Sequence, residues 1–142
     1  MTRTTVKLFL SFLCISLPCF ASSEVVEGQL SPSKVWVRSY EEALDISRKE
    51  NKSILLYFSG SDWSGPSMKM KKEVFDSPSF QEKVATRFVC VEVDFPHYRP
   101  LDLETTQYNR LLQERFHVEE YPSLLVLDKQ EREIARLGYF PE

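Results

Sequence analysis

The chain is poor in the residues that most often carry chemistry. Its 142 residues include two histidines, three cysteines and four glycines. No paired Cys/His spacing is present for zinc, no Gly-rich loop for phosphate and no acidic loop for calcium, so no metal or cofactor is expected. An excess of one charge is also lacking: 18 basic residues stand against 21 acidic ones, for a formal charge of −3. A general binder of nucleic acid or of anionic membranes is excluded on that ground. No internal repeat or low-complexity stretch occurs. Apolar types at 42% and charged types at 27% fit one compact globular domain and exclude disorder, collagen-like and coiled-coil classes.

A long hydrophobic run is missing too. The apolar stretch Leu8 to Leu17 is about half of the roughly 20 residues that a membrane-spanning helix needs. Arg3 and Lys7 precede it and Cys19-Phe20-Ala21 follows, which is the order of a secretory signal with a cut after Ala21. Cys19 lies at the depth of a lipid-attachment cysteine, but Ser16-Leu17-Pro18 is a poor lead-in for that modification. The expectation is export, to a bacterial periplasm or beyond, with no stable membrane span after cleavage. Loss of the leader takes the formal charge from −3 to −5 and leaves Cys90 as the mature chain's single cysteine. Any disulfide would then be intermolecular. The sequence therefore divides into a signal peptide (1–21), a polar, aperiodic lead-in expected to be flexible (22–34) and a folded domain (35–142).

Within the domain, residues 34–38 alternate as a short strand. Ser39-Tyr40-Glu41-Glu42 has capping-box spacing and predicts a helix from Tyr40 to Glu50, with Tyr40, Ala43, Leu44 and Ser47 on its inner face. Ser53 to Phe58 is too apolar for a strand wetted on one side and is expected at the sheet centre. A helix over residues 65–75 follows, with Pro66 in its first turn, and Ser77-Pro78 opens a shorter one. Residues 87–94 read as an inner strand, Asp102 caps a helix reaching about Phe116, and Ser123 to Leu127 pairs with residues 132–138 as a hairpin. This order describes an α/β domain with a mixed central sheet flanked by helices.

The segment Ile54 to Phe58 followed by Ser59-Gly60-Ser61-Asp62-Trp63-Ser64-Gly65-Pro66-Ser67 resembles the strand and active-site turn of thioredoxin-like proteins, whose signature is Trp-Cys-Gly-Pro-Cys. Glu73-Val74-Phe75, Val91 to Phe95 and Tyr121-Pro122-Ser123 agree with the resemblance, which covers most of residues 35–140. The Gly-Ser-Asp-Trp entrance is most similar to exported bacterial members, including disulfide isomerase-like ones. The resemblance implies a thioredoxin-like fold and a cis Pro122 facing the turn. It also implies a peptide-binding surface made of Trp63, Ser64, Gly65, Pro66, Tyr121 and Pro122.

Both positions that hold the family's redox cysteines are serine here, Ser64 and Ser67. Dithiol exchange needs a thiolate to attack and a second sulfur to resolve the mixed disulfide, and a hydroxyl supplies neither. No catalytic residue is therefore assigned. A serine nucleophile would need a base, and His97 and His117 belong to other segments, so Ser64 reads as a helix cap. The alignment also puts Tyr57 where the family often has a buried proton-relay acid. Cys90 sits inside an apolar strand and reads as a small hydrophobe, although it is the one candidate reactive thiol. His97 lies in an aromatic, proline-rich loop that could contact a partner but is read first as solvated, and Lys69 to Lys72 read as a wetted helix face. Asn51-Lys52-Ser53 is formally a glycosylation sequon.

The family's final helix has no residues to form it after Gly138, so one sheet face is expected to be open to a second copy, a partner protein or the 22–34 segment. Two functions compete. One is a non-redox binding or chaperone-like module for unfolded or extended polypeptides; the other is a thiol–disulfide oxidoreductase or isomerase working through Cys90 or partner thiols.

Overall fold

A computed structural model describes residues 35–138. The signal peptide, its cut, Cys14, Cys19, the 22–34 segment and the last four residues lie outside the described residues. The elements are β1 (Trp36–Val37), α1 (Tyr40–Glu50), β2 (Ser53–Ser59), α2 (Gly65–Met70), a π-helical turn (Lys71–Phe75), α3 (Pro78–Ala85), β3 (Phe88–Asp94), α4 (Leu103–Arg115), β4 (Ser123–Leu127) and β5 (Glu133–Gly138). They form a thioredoxin-like α/β fold around a five-stranded sheet of order β1-β3-β2-β4-β5. β1 and β2 pair parallel with β3, while β4 lies antiparallel between β2 and β5.

The apolar run of β2 occupies the centre of the sheet because it can be buried on both faces. Ile54, Leu56 and Phe58 pack with Val89, Val91, Val93, Leu125 and Leu127 beneath α1 and α4. Leu55 and Tyr57 face the other way, with Cys90, Phe75 and Leu124. Each such side chain contributes roughly 1.5–3 kcal/mol on leaving water.

Helix ends follow their local chemistry. Ser39 caps α1 by accepting from the Glu42 N–H at 3.1 Å, whereas the Glu42 carboxylate reaches back to the Arg38 N–H at 3.0 Å, one residue beyond the capping-box position. Asn51 ends α1 in the left-handed conformation at φ 54°. Asp102 caps α4 by accepting from the Thr105 N–H at 2.8 Å.

The expected single helix over 65–75 is interrupted, since its last five residues form a π turn closed by the Asp76 N–H on Lys71 O at 2.9 Å. At 100° per residue Phe75 would stand about 80° around the helix from Ser67, and the wider turn removes that offset. Phe75 is consequently buried, with its ring centre 4.6 Å from Tyr57, 5.1 Å from Trp36 and 5.0 Å from Phe80.

The two faces of the sheet are covered unequally. On the Leu55–Leu124 face an open groove of about 440 Å³ runs between Met70, Val74, Phe80 and Val84 on one side and Val126, Leu137 and Gly138 on the other. Leu137 is 60% exposed there.

On the opposite face Glu131, at the hairpin turn, ties three elements together. It accepts from Tyr40 Oη at 3.1 Å and pairs with Arg48 at 3.1 Å and Arg115 at 2.7 Å. The Arg115 hydrogen bond, outweighing the cost of burial, holds the Glu131 carboxyl below its usual range. A carboxyl lowered on folding stabilises the protein above its unfolded-state pKa, and that contribution disappears as pH falls through the folded value. Glu131→Gln should therefore cost about 1 kcal/mol at pH 7 and little at pH 3. Urea titrations at the two pH values check it.

Candidate functional site

The site forms where β2 ends. Gly60 follows the buried strand, and its carbonyl accepts from the Ser64 N–H at 2.9 Å and the Trp63 N–H at 3.3 Å, closing a tight turn ahead of α2. Position 60 has to be glycine, because an alanine Cβ would stand 2.6 Å from Trp63 Nε1 and 2.7 Å from Cζ2. The indole lies across this glycine. Its Nε1 donates to Phe95 O at 2.7 Å, and Tyr121 meets it edge-on at 5.8 Å.

Ser64 caps α2, accepting from the Ser67 N–H at 3.3 Å. Its hydroxyl also accepts from Ser67 Oγ at 3.0 Å and donates to Tyr121 O at 3.4 Å. Ser67 Oγ in turn accepts from the Gly60 N–H at 3.3 Å, and Tyr57 Oη donates to Ser67 O at 2.8 Å. One donor and two acceptors on Ser64 are thus all engaged inside the protein. Both side chains are buried, and no imidazole is among their hydrogen-bond partners. A serine nucleophile has neither a base nor a free lone pair here.

Pro122 is buried and its peptide bond with Tyr121 is cis. Trp63, Ser64, Pro66, Ser67 and the Tyr121-Pro122 segment accordingly meet at one end of the sheet, with Trp63 37% exposed and Gly65 at the surface. Cys90 is elsewhere. It pairs with Leu55 and Trp36 in the middle of β3, has no exposed surface, and burial pushes its thiol up to about 12. The thiolate that a reactive cysteine needs is therefore strongly disfavoured at neutral pH. The candidate reactive thiol is therefore corrected to a core residue.

Tyr57, at the relay-acid position, is likewise buried, with its phenol pushed up to about 12 by desolvation. Acids nevertheless approach this region from the neighbouring strand. Ser59 Oγ donates to Glu92 at 2.7 Å and Asp94 at 3.1 Å, and Asp94 also accepts from the Ser61 N–H at 2.9 Å. Reading β2 alone could not find them. The usable signal was the alternation Cys90, Glu92, Asp94 on β3, which in parallel register faces Leu55, Tyr57 and Ser59.

The loop 95–101 is exposed from His97 onward, as its reading as a solvated segment expected, and it is also tied to the turn. Asp62 accepts from the N–H groups of His97 at 2.8 Å, Tyr98 at 2.8 Å and Arg99 at 3.0 Å. Desolvation works to raise the Asp62 carboxyl, but these three donors and the Arg99 charge outweigh it and hold the acid below its usual range. Held in this way, His97 stacks on Trp63 with ring centres 4.4 Å apart and planes within 6°.

The comparisons with known proteins agree with the fold that holds this site. A family profile described as thioredoxin-like matches residues 35–129. The chain is 43% identical over 128 residues to the thioredoxin-related protein DsbJ of Chlamydia pneumoniae, covering 90% of this chain and 36% of that relative. It is 31% identical over 140 residues to the disulfide bond reductase DsbH of the same organism, covering 94% of this chain and 84% of that one. A solved structure of a DsbH oxidoreductase superposes with a TM-score of 0.70 at 34% identity, over 75% of this chain and 74% of the other. The chain spans about a third of the length of DsbJ, at 36%, and most of DsbH.

Two outcomes test this geometry. Gly60→Ala should expel the indole and raise acrylamide quenching of tryptophan fluorescence above that of the native chain. Cys90 should stay unreactive toward a chromogenic disulfide reagent in the folded protein and react fully in guanidinium. Fast labelling of the native state would contradict its burial.

Proposed function

The chain belongs to the thioredoxin-like family and has disulfide-oxidoreductase relatives, and on that premise we propose that it is an exported member that binds extended polypeptides without redox chemistry, as a chaperone-like module. The observation that carries this reading is the Ser64–Ser67 pair. Two hydroxyls hydrogen-bonded at 3.0 Å stand where exchange chemistry needs two sulfurs, while Trp63 and the cis Tyr121–Pro122 segment remain around them. An extended client lying along that segment would pair through its backbone, which gives loose sequence preference. Of the rival reading, an oxidoreductase or isomerase working through Cys90 or partner thiols, the Cys90 arm lacks an accessible nucleophile.

Export rests on the three-part pattern of residues 1–21, with the relatives' bacterial source in support. No helix among the described residues is long and apolar enough to cross a membrane.

Insulin disulfide reduction tests the function, comparing the native chain with Ser64→Cys/Ser67→Cys under the same thiol conditions. The native chain should match the no-protein background. The double variant should reduce insulin, since α2 and the cis-proline segment are already in place. Turnover by the native chain would overturn the reading.

A further inference from the structure

The open groove of about 440 Å³ on the Leu55–Leu124 face takes no part in the site at the end of β2. Leu55, Phe75 and Leu124 line it together with Val84 of α3 and Leu137 of β5, and Val74 and Leu137 are 43% and 60% exposed there. Apolar surface gathered in this way marks a place that something covers. One segment of the chain leads directly into the same cluster. Val35 and Trp36 pack against Leu55, Phe75 and Leu124, and Val35 O accepts from the Cys90 N–H at 2.7 Å. The stretch before them, residues 22–34, lies outside the described residues and carries Val25, Val26 and Leu30 among mostly polar neighbours. We propose that residues 22–34 fold back over this groove as an intramolecular cover, with Val26 and Leu30 seated in it.

The register of the sheet sets the reach that this requires. Trp36 pairs with Cys90, Cys90 with Leu55 and Leu55 with Val126, so the β4 side of the groove stands three strand spacings from β1, about 14 Å. Leu30 and Val26 precede Val35 by five and nine residues, which span about 17 and about 30 Å when extended. Both therefore reach the groove. Four positions apart, they share one side of an extended segment with Gly28 between them, while Val25, Glu27 and Gln29 fall on the other. A tethered segment acts at an effective concentration in the millimolar range, whereas a second copy of the chain has first to offset its lost translational freedom. The segment is thus favoured over a second copy as the occupant.

The cover is independent of client binding at Trp63 and is tested without a client. The native protein, Val26→Asp/Leu30→Asp and a charge-matched control, Val25→Asp/Gln29→Asp, are compared by the fluorescence of an apolar-surface dye, by urea titration and by sedimentation. The native protein and the control should bind little dye and sediment as monomers. Val26→Asp/Leu30→Asp should raise the dye signal about three-fold and lower the urea midpoint by about 1 M. Its substitutions fall before the folded domain, so the fold itself is kept. Leu137→Asp, which spoils the groove instead of the segment, should lower the midpoint of the native protein but add little to that of Val26→Asp/Leu30→Asp, since the two changes break one contact. Equal dye signals and midpoints in the native protein and Val26→Asp/Leu30→Asp would overturn the proposal, as would equal losses in the control. A native dimer that takes up dye only on dilution would give the groove to a second copy and overturn it as well.

Discussion

Burial of β2 on both faces is the constraint from which the rest of the structure follows. From Ile54 through Gly60 every residue is buried, and the strand is paired on one side with β3 and on the other with β4. Its neighbours therefore cannot shift register without moving apolar side chains to the wrong face. That fixed register brings the end of β3, the start of β4 and the turn after Gly60 to one edge of the sheet. Ser59 pairs with Asp94, Phe58 with Ser123, and the Phe95 N–H returns to Ser59 O at 2.9 Å. The site thus assembles from three chain segments whose positions were decided by the core.

At that edge the polar groups are satisfied by one another. Among the described residues no buried side-chain nitrogen or oxygen lacks a partner, although Ser47, Ser59, Ser64, Ser67, Asn109 and Ser123 are all buried. A buried hydroxyl left unpaired costs about 1–3 kcal/mol, so the closed arrangement of Ser64, Ser67, Gly60 and Tyr121 is a stable end state for oxygen at these positions. Sulfur would make weaker hydrogen bonds there and keep more of its reactivity. The Ser64–Ser67 geometry therefore serves the two hydroxyls as an ordinary helix cap.

How much of this was legible in the sequence depends on the range of the forces involved. α1, β2, α3 and α4 could be read because their signals are local: a capping serine or aspartate, an apolar period, a proline in the first turn. The central position of β2 followed from its unbroken apolar run. The π turn could not be read, since it exists to bring Phe75 over Trp36 and Tyr57, two rings distant in sequence. Glu131 was invisible for the same reason, its partners lying 83 and 91 residues away on α1 and 16 away on α4. His97 was named from the sequence, but its stack on Trp63 was not legible. Nothing in Phe-Pro-His-Tyr-Arg-Pro says that its backbone will be gripped by a carboxylate 35 residues earlier.

Asp62 explains why an exposed loop can carry so defined a contact. A single carboxylate accepting three successive backbone N–H groups fixes the path of residues 97–99 without any apolar burial. The indole bond to Phe95 O fixes the residue two positions before His97, so the stacked ring hangs from a backbone anchored at both ends. Both anchors originate in the turn, at Asp62 and Trp63, and that turn is held by Gly60. The loop is therefore an extension of the β2 terminus rather than an independent segment. The Trp63–His97 stack is therefore held on both sides by contacts that begin at the turn itself.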